Sequence, residues 1–110
     1  MKAQIVRIDG SKITDWSSFH EVFARQLGFP NFYGRNMNAW IDCLSYRRDQ
    51  DGMSSVNITP DEFILFQVEH AEQFRTNHPE GYAALLDCSA TVNQSYIEEG
   101  QQPALAVMLL

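Results

Sequence analysis

The sequence predicts an α/β fold in which a three-stranded parallel sheet is packed with about four helices. Three short stretches rich in β-branched and other apolar residues are separated by two long segments with helical periodicity. Such long connections favour parallel strands, because antiparallel neighbours need only a short hairpin. At 110 residues, with 45% apolar residues, the chain has room for one core, so a single domain is predicted over residues 1–110.

The first strand is predicted over residues 3–8, and the turn pair Asp9-Gly10 closes it. A helix follows, for which Thr14 or Asp15 is a suitable N-cap. Gly28 fits the position just past its end. The apolar residues of this helix fall on one stripe: Trp16, Phe19, Phe23 and Leu27.

The second helix is predicted to begin after Asn36, which can cap it. Its apolar residues have the spacing of a buried face: Met37, Trp40, Ile41 and Leu44. Asn38, Asp42 and Ser45 are spaced by four and three residues and share the opposite, polar face. A polar loop from Arg47 to Thr59 follows.

The second half of the chain is again predicted to contain a strand followed by two helices, and then a last strand. Residues 63–66 form a continuous apolar run, which is typical of a strand covered on both faces. A short helix is predicted over residues 69–75 and a longer one over residues 79–100, followed by a buried strand over residues 104–110. The apolar stripe of the longer helix comprises Tyr82, Leu85, Leu86, Val92 and Tyr96.

Charge is distributed unevenly along the chain. Residues 1–48 have seven basic and four acidic side chains, whereas residues 49–110 have one basic and ten acidic ones, which gives a formal net charge of −6. Such an acidic second half opposes binding to nucleic acid or anionic membranes and favours a basic protein partner. The same charge is also compatible with a simple role in solubility.

No catalytic motif is present. The sequence has no glycine-rich phosphate loop, no nucleophile elbow and no zinc-protease signature. Cys43 lies beside the apolar stripe of its helix, where a cysteine usually packs, and Glu69-His70-x-Glu72 is more typical of a solvated helix start than of a metal site. Cys43 and Cys88 lack the spacing of a disulfide framework, and no apolar signal segment is seen, so a reducing cytoplasm is expected. We therefore expect that the chain is not an enzyme and that it binds no cofactor or metal.

The segment over residues 27–36 is rich in aromatic residues and lies directly before the second helix. Phe29 or Tyr33 is expected to anchor it, which leaves Phe32 as a contact candidate. Residues 27–44 read Leu-x-x-Pro-x-aromatic-Tyr-Gly-x-Asn-x-Asn-Ala, a large apolar pair and then Asp-Cys-Leu. This pattern resembles the barstar family of intracellular inhibitors of the ribonuclease barnase, and the predicted order of elements fits the fold of that family.

The resemblance implies a mechanism. In the barstar family the loop and the second helix fill the active-site cleft of a ribonuclease, and an aspartate that matches Asp42 takes the place of an RNA phosphate. The partner is then a basic ribonuclease, bound by a cytoplasmic monomer that binds neither nucleic acid nor membrane. The implied partner-binding residues are Phe32, Tyr33, Gly34, Asn36, Asn38, Ile41, Asp42, Ser45 and Asp87, the last standing for an acidic contact on the last long helix.

The chain also departs from the family pattern. Asn38 stands where barstar has an acidic residue, Phe32 where it has a tyrosine, and Ile41 and Arg47 where it has tryptophans. The loop after the second helix is longer, and Arg35, with Arg47 and Arg48, adds positive charge. A partner other than barnase itself is therefore expected. Three alternatives stay open: an immunity or interaction protein for a partner that is not a ribonuclease, RNA binding through the aromatic residues and arginines, and an enzyme built on Cys43.

Overall fold

The fold is taken from a computed structural model, which describes residues 2–45 and 58–110. Apart from Ile58 and Thr59, the predicted loop over residues 47–59 lies outside the described residues. The predicted order of strand, two helices, strand, two helices and strand is confirmed, with a short 3-10 turn added after the first strand. The elements are β1 (Lys2–Asp9), the 3-10 turn (Gly10–Lys12), α1 (Trp16–Leu27), α2 (Met37–Ser45), β2 (Glu62–Glu69), α3 (Ala71–Asn77), α4 (Pro79–Glu98) and β3 (Leu105–Leu109).

The three strands form one parallel sheet in the order β1-β2-β3. Val6 of β1 lies opposite Phe66 of β2, which in turn lies opposite Val107 of β3. Side chains alternate between the faces of a sheet, so this row and the residues two positions away point to the same side. That side is the core, where Ile8, Phe66 and Val68 are fully buried.

The other face of the sheet corrects an expectation for β2. Its apolar run predicted a strand covered on both faces, but Phe63 and Leu65 are only half-buried. The neighbouring Ile5 of β1 is 59% exposed and Met108 of β3 is 39% exposed. An apolar run shows that a strand can be covered on both sides, whereas the packing of the helices decides whether it is.

The helix ends follow the local chemistry that the sequence predicts. Asp15 caps α1, because its carboxylate accepts the backbone N–H of Ser18 at 2.8 Å while the Ser18 hydroxyl reaches back to the cap. Gly28 ends α1 with φ 63°, a left-handed conformation that costs glycine little. Pro79 occupies the first turn of α4, where a missing N–H is harmless.

Helix α2 is held over the sheet by aromatic packing. Trp40 is fully buried, and its ring lies 5.9 Å from that of Phe23 and 6.2 Å from that of Phe66. On the other side α2 packs against α4, where the Tyr96 hydroxyl donates to the carbonyl of Leu44 at 3.0 Å. A buried indole and a buried hydrogen bond therefore fix both the height and the orientation of α2.

Candidate functional site

The loop between α1 and α2 is anchored by Tyr33. Its side chain is 8% exposed, its ring packs 4.7 Å from Phe29, and its hydroxyl lies 2.6 Å from Nδ1 of His20 on α1. A turn precedes it, in which the Tyr33 N–H donates to the carbonyl of Pro30 at 2.9 Å. Tyr33 is thus a core side chain that fixes the loop, and its surroundings are those of an anchor.

Phe32 has the opposite environment, although it is the adjacent residue. It is 77% exposed, the highest value among the large apolar side chains that the structure describes as exposed. Anchoring by Tyr33 turns its neighbour outward. An exposed aromatic ring on a constrained loop loses little conformational freedom when a partner covers it.

Asn36 links the loop to α2, as predicted. Its side-chain oxygen accepts the backbone N–H of Ala39 at 2.8 Å, which caps the helix, while its amide donates to the carbonyl of Gly34 at 3.3 Å. Gly34 has little room for a side chain, because a Cβ there would lie 3.3 Å from the Asn36 amide and 3.4 Å from the Cβ of Ala39. Both residues shape the start of the helix.

The polar face of α2 is exposed as predicted. Asn38 and Asp42 are both exposed, and their spacing of four residues places them one turn apart on the same side. Ile41 and Ser45 border that face and are half-buried, with the Ser45 hydroxyl donating to the Ile41 carbonyl at 2.7 Å. The helix therefore presents one carboxylate, Asp42, toward solvent.

A cavity of about 310 Å³ lies beside Asp42, where α2 meets the C-terminal end of α4. We call it the α2–α4 depression. Three of the residues that line it are predicted partner-binding residues and three are not: Ile41, Asp42 and Ser45, with Ser95, Tyr96 and Glu99. Two carboxylates, two serine hydroxyls and a tyrosine thus line one recess, and the two carboxylates suit a cationic side chain.

A comparison with known protein families identifies the family of the chain. The family model described as Barstar (barnase inhibitor) matches residues 3–108. The chain belongs to the barstar family. The resemblance seen in residues 27–44 is confirmed and extends over nearly the whole chain. The predicted fold is confirmed as well. Barstar-family proteins are inhibitors of barnase-type ribonucleases and are not enzymes, which confirms the prediction that this chain is not an enzyme.

Glu99, directly after α4, is an acidic residue of the depression that the sequence did not single out as a site residue. Asp87, the acidic contact that the resemblance implies, is exposed on α4 and lies eight residues before Ser95, about 12 Å along the helix axis. The structure does not bring it to the depression. The sequence carried one usable signal: Glu98 and Glu99 stand at the C-terminal end of a helix, where negative charge is unfavourable to the helix itself.

The buried His20 of α1 supports the loop through its contact with Tyr33. His20 is 3% exposed and stacks on Trp16 at 5.9 Å. Burial, with smaller contributions from Arg35 and His78, lowers the pKa of His20 to about 4, so the ring is neutral. Burial raises the pKa of Tyr33, which therefore keeps its proton and can donate it to Nδ1 of His20.

The cysteines are placed as packing residues. Cys43 is 3% exposed within the core, Cys88 is half-buried on α4, and the two are not joined by a disulfide. Burial raises the pKa of Cys88, and so its thiol is less reactive than an exposed one.

Over residues 2–45 and 58–110, no three His, Cys, Asp or Glu side chains come together as a metal site. The helices of the same residues are each too short or too polar to cross a lipid bilayer.

Proposed function

We propose that this barstar-family chain inhibits its ribonuclease by seating α2 and the loop before it in the active-site cleft, with Asp42 in the place of an RNA phosphate. The observation that carries the proposal is the position of Asp42: an exposed carboxylate on a helix fixed by the buried Trp40 and by the Tyr96 hydrogen bond. Its placement is independent of any partner and therefore preorganised.

The chemistry of the target explains why a carboxylate serves. A ribonuclease must gather Arg, Lys and His side chains to hold a phosphate, and a fixed carboxylate can accept charge-assisted hydrogen bonds from them. Asp42 stands in the last turns of α2, where a negative charge opposes the helix dipole. This cost to the helix supports a role for Asp42 outside the fold.

The α2–α4 depression enlarges the proposed contact surface. Glu99 adds a second carboxylate to that of Asp42, and Ser45 and Ser95 add hydroxyls that can accept or donate hydrogen bonds. An arginine or lysine from the rim of the ribonuclease cleft fits such a recess. We therefore replace Asp87 by Glu99 as the acidic contact from α4.

Phe32 is proposed as the apolar anchor of the interface. It is 77% exposed, and its loop is held by Tyr33 and by the cap at Asn36. Gly34 and Asn38 complete the rim, where Gly34 permits close approach and Asn38 offers polar contact. Tyr33 has an indirect role in this proposal, as the residue that positions Phe32.

The alternative is a barstar-fold immunity or interaction protein whose partner is not a ribonuclease. Two observations support this alternative: Asn38 supplies no charge one turn before Asp42, and Arg35 places a positive charge directly before the cap of α2. In both cases we propose action as a cytoplasmic monomer. The two functions differ in what the surface around Asp42 binds.

A competition experiment tests the proposed function. The chain is titrated against barnase-type ribonucleases while cleavage of a fluorogenic RNA is followed at several RNA concentrations. Occupation of the active site requires competitive inhibition, with an apparent inhibition constant that rises linearly with the RNA concentration. Inhibition that is independent of RNA concentration would contradict the active-site mechanism, and binding without inhibition would favour the alternative.

A further inference from the structure

The charges on and before α2 run against the dipole of the helix. Arg35 directly precedes the cap Asn36, so a cation stands at the positive end, whereas Asp42 lies toward the negative end. The first turn has no acidic residue and the last turn has no basic one. Both placements are unfavourable to the helix. The order of charges therefore does not serve the stability of α2.

Arg35 is also held in an uncommon backbone conformation. Its φ is 54°, in the left-handed region where a glycine would be favoured over a residue with a Cβ. The side chain is directed by two contacts with α1: Nη2 donates to the carbonyl of Ser17 at 3.0 Å, and Nη1 lies 3.6 Å from the carboxylate of Glu21. The guanidinium is thus fixed beside the loop and not trailing in solvent.

A cluster of net positive charge results at this end of the surface. Glu21 lies between two guanidiniums, 3.0 Å from that of Arg25 and 3.6 Å from that of Arg35. The three charged side chains border a cavity of about 340 Å³ that Phe29 and Tyr33 also line. The side chain of Arg35 remains 46% exposed, so a group outside the protein can reach it.

We propose that Arg35 is a specificity-determining residue that binds a carboxylate on the rim of the target's active site. The inference rests on the proposed function, because it assumes that Asp42 faces the phosphate-binding cations of the same partner. Arg35 precedes α2 by two residues, whereas Asp42 lies in the second half of the helix. The surface therefore selects a nuclease that has an acidic group near its phosphate-binding centre, and it disfavours one with a basic group there.

The geometry supports a carboxylate as the ligand of Arg35. A guanidinium has five N–H donors in a planar fork; one donor of Arg35 is directed to the Ser17 carbonyl, and Nη1 also faces the Glu21 carboxylate. The remaining donors can bind a carboxylate of a partner through charge-assisted hydrogen bonds. RNA phosphate has similar acceptors, but Asp42 and Glu99 on the same surface would repel an RNA strand.

A double-mutant cycle on a ribonuclease that the chain inhibits tests this proposal. Arg35→Gly removes the charge at a backbone conformation suited to glycine, and Arg35→Glu reverses it. Arg75→Glu, on the exposed surface of α3, is the matched control for total charge. The carboxylates that border the nuclease active site are changed to lysine one at a time, and inhibition constants are measured for every pair.

The expected result is that Arg35→Gly weakens inhibition roughly tenfold, Arg35→Glu weakens it further, and Arg75→Glu leaves it nearly unchanged. One carboxylate-to-lysine variant of the nuclease should restore inhibition by Arg35→Glu. If Asp42→Ala abolishes inhibition while both Arg35 variants inhibit as the parent does, the Arg35 inference is wrong and the proposed function stands. If the parent inhibits no barnase-type ribonuclease, both fall.

A second arm addresses nucleic acid. Binding of a fluorescent single-stranded RNA is measured for the parent chain and for Arg35→Gly at low salt. No binding by either protein is expected. RNA binding that is lost in Arg35→Gly would show that the cationic cluster serves RNA, and it would overturn the assignment to a protein carboxylate.

Discussion

Acidification should destabilise this protein through His20. The pKa of His20 is lowered from 6.5 to about 4 in the folded state, with burial as the largest cause. Between these two values the unfolded chain binds a proton that the folded chain does not, so stability falls as the pH falls from about 6.5 to about 4. Below pH 4 the folded state is protonated as well and this contribution changes no further.

The size of the effect follows from the same two pKa values. For a single group that titrates at 6.5 unfolded and at about 4 folded, linkage gives a loss of about 2 kcal/mol between pH 8 and pH 5. His20 is 3% exposed, so screening by solvent reduces this value little. Such a loss is a substantial part of the stability of a domain of this size.

The assay is urea unfolding at a series of pH values, for the parent chain and for His20→Asn. Asparagine can offer a polar group near the position of Nδ1, which bonds Tyr33, and it does not titrate. The variant should be less stable at neutral pH, because it fills less of the site, but its stability should fall less steeply between pH 6.5 and pH 4.5. Only the difference in slope reports the titration of His20.

The matched control is His70→Asn. His70 is exposed and has φ 55°, a conformation that asparagine adopts readily, so this change removes a histidine without disturbing the core. Its pH dependence should follow that of the parent chain. If His20→Asn loses stability with acid as steeply as the parent chain and His70→Asn do, the assignment of the acid sensitivity to His20 is refuted.

Two further predictions concern the elements that form the site. Tyr96→Phe removes the hydroxyl that bonds the Leu44 carbonyl and should lower the free energy of unfolding by about 1–3 kcal/mol. The control is Tyr82→Phe, at a half-buried tyrosine of the same helix, which should lower the free energy of unfolding less. Equal losses for the two variants in urea unfolding would contradict the role given to the hydrogen bond of Tyr96. Asn38→Asp adds a carboxylate one turn before Asp42 and should speed association with a basic ribonuclease at low salt. Asn77→Asp, which adds the same charge on α3, should not speed association. Equal association rates of the two variants in stopped-flow experiments would show that only the total charge matters.

The parts of the fold that depend on local chemistry could be predicted from the sequence. Asp15 and Gly28 bound α1 as expected, and Asn36 caps α2, because caps and helix ends are decided by a few neighbouring residues. The exposure of Asp42 followed from the helical spacing of the apolar residues around it. Parallel pairing followed from the length of the connections between strands.

The parts that depend on how distant elements pack could not be predicted in the same way. Asp87 and Glu99 both stand outside the buried stripe of α4, and only the packing of α4 on α2 decides which one lies near Asp42. The half-exposed face of β2 likewise depends on how the helices pack on the sheet. Phe32 and Tyr33 are adjacent aromatic residues whose opposite environments depend on the hydrogen bond to His20 on another helix.

The most direct test of the inhibitor mechanism is the inhibition constant of Asp42→Ala, compared with that of Asp87→Ala. Both residues are exposed aspartates on helices, so each change should alter the free energy of unfolding by less than about 0.5 kcal/mol. If Asp42 occupies the phosphate site, its removal strands the cations of the ribonuclease in a buried interface and costs about 2–5 kcal/mol of binding. That range is the general one for buried charge pairs, and the barnase–barstar complex is among the systems that set it.

Expressed as an inhibition constant, this cost is an increase of about 30-fold to a few thousandfold, mainly through faster dissociation. Asp87→Ala should inhibit as tightly as the parent chain. An Asp42→Ala protein that is folded, as judged by thermal unfolding, and that inhibits the ribonuclease as tightly as the parent would contradict the account.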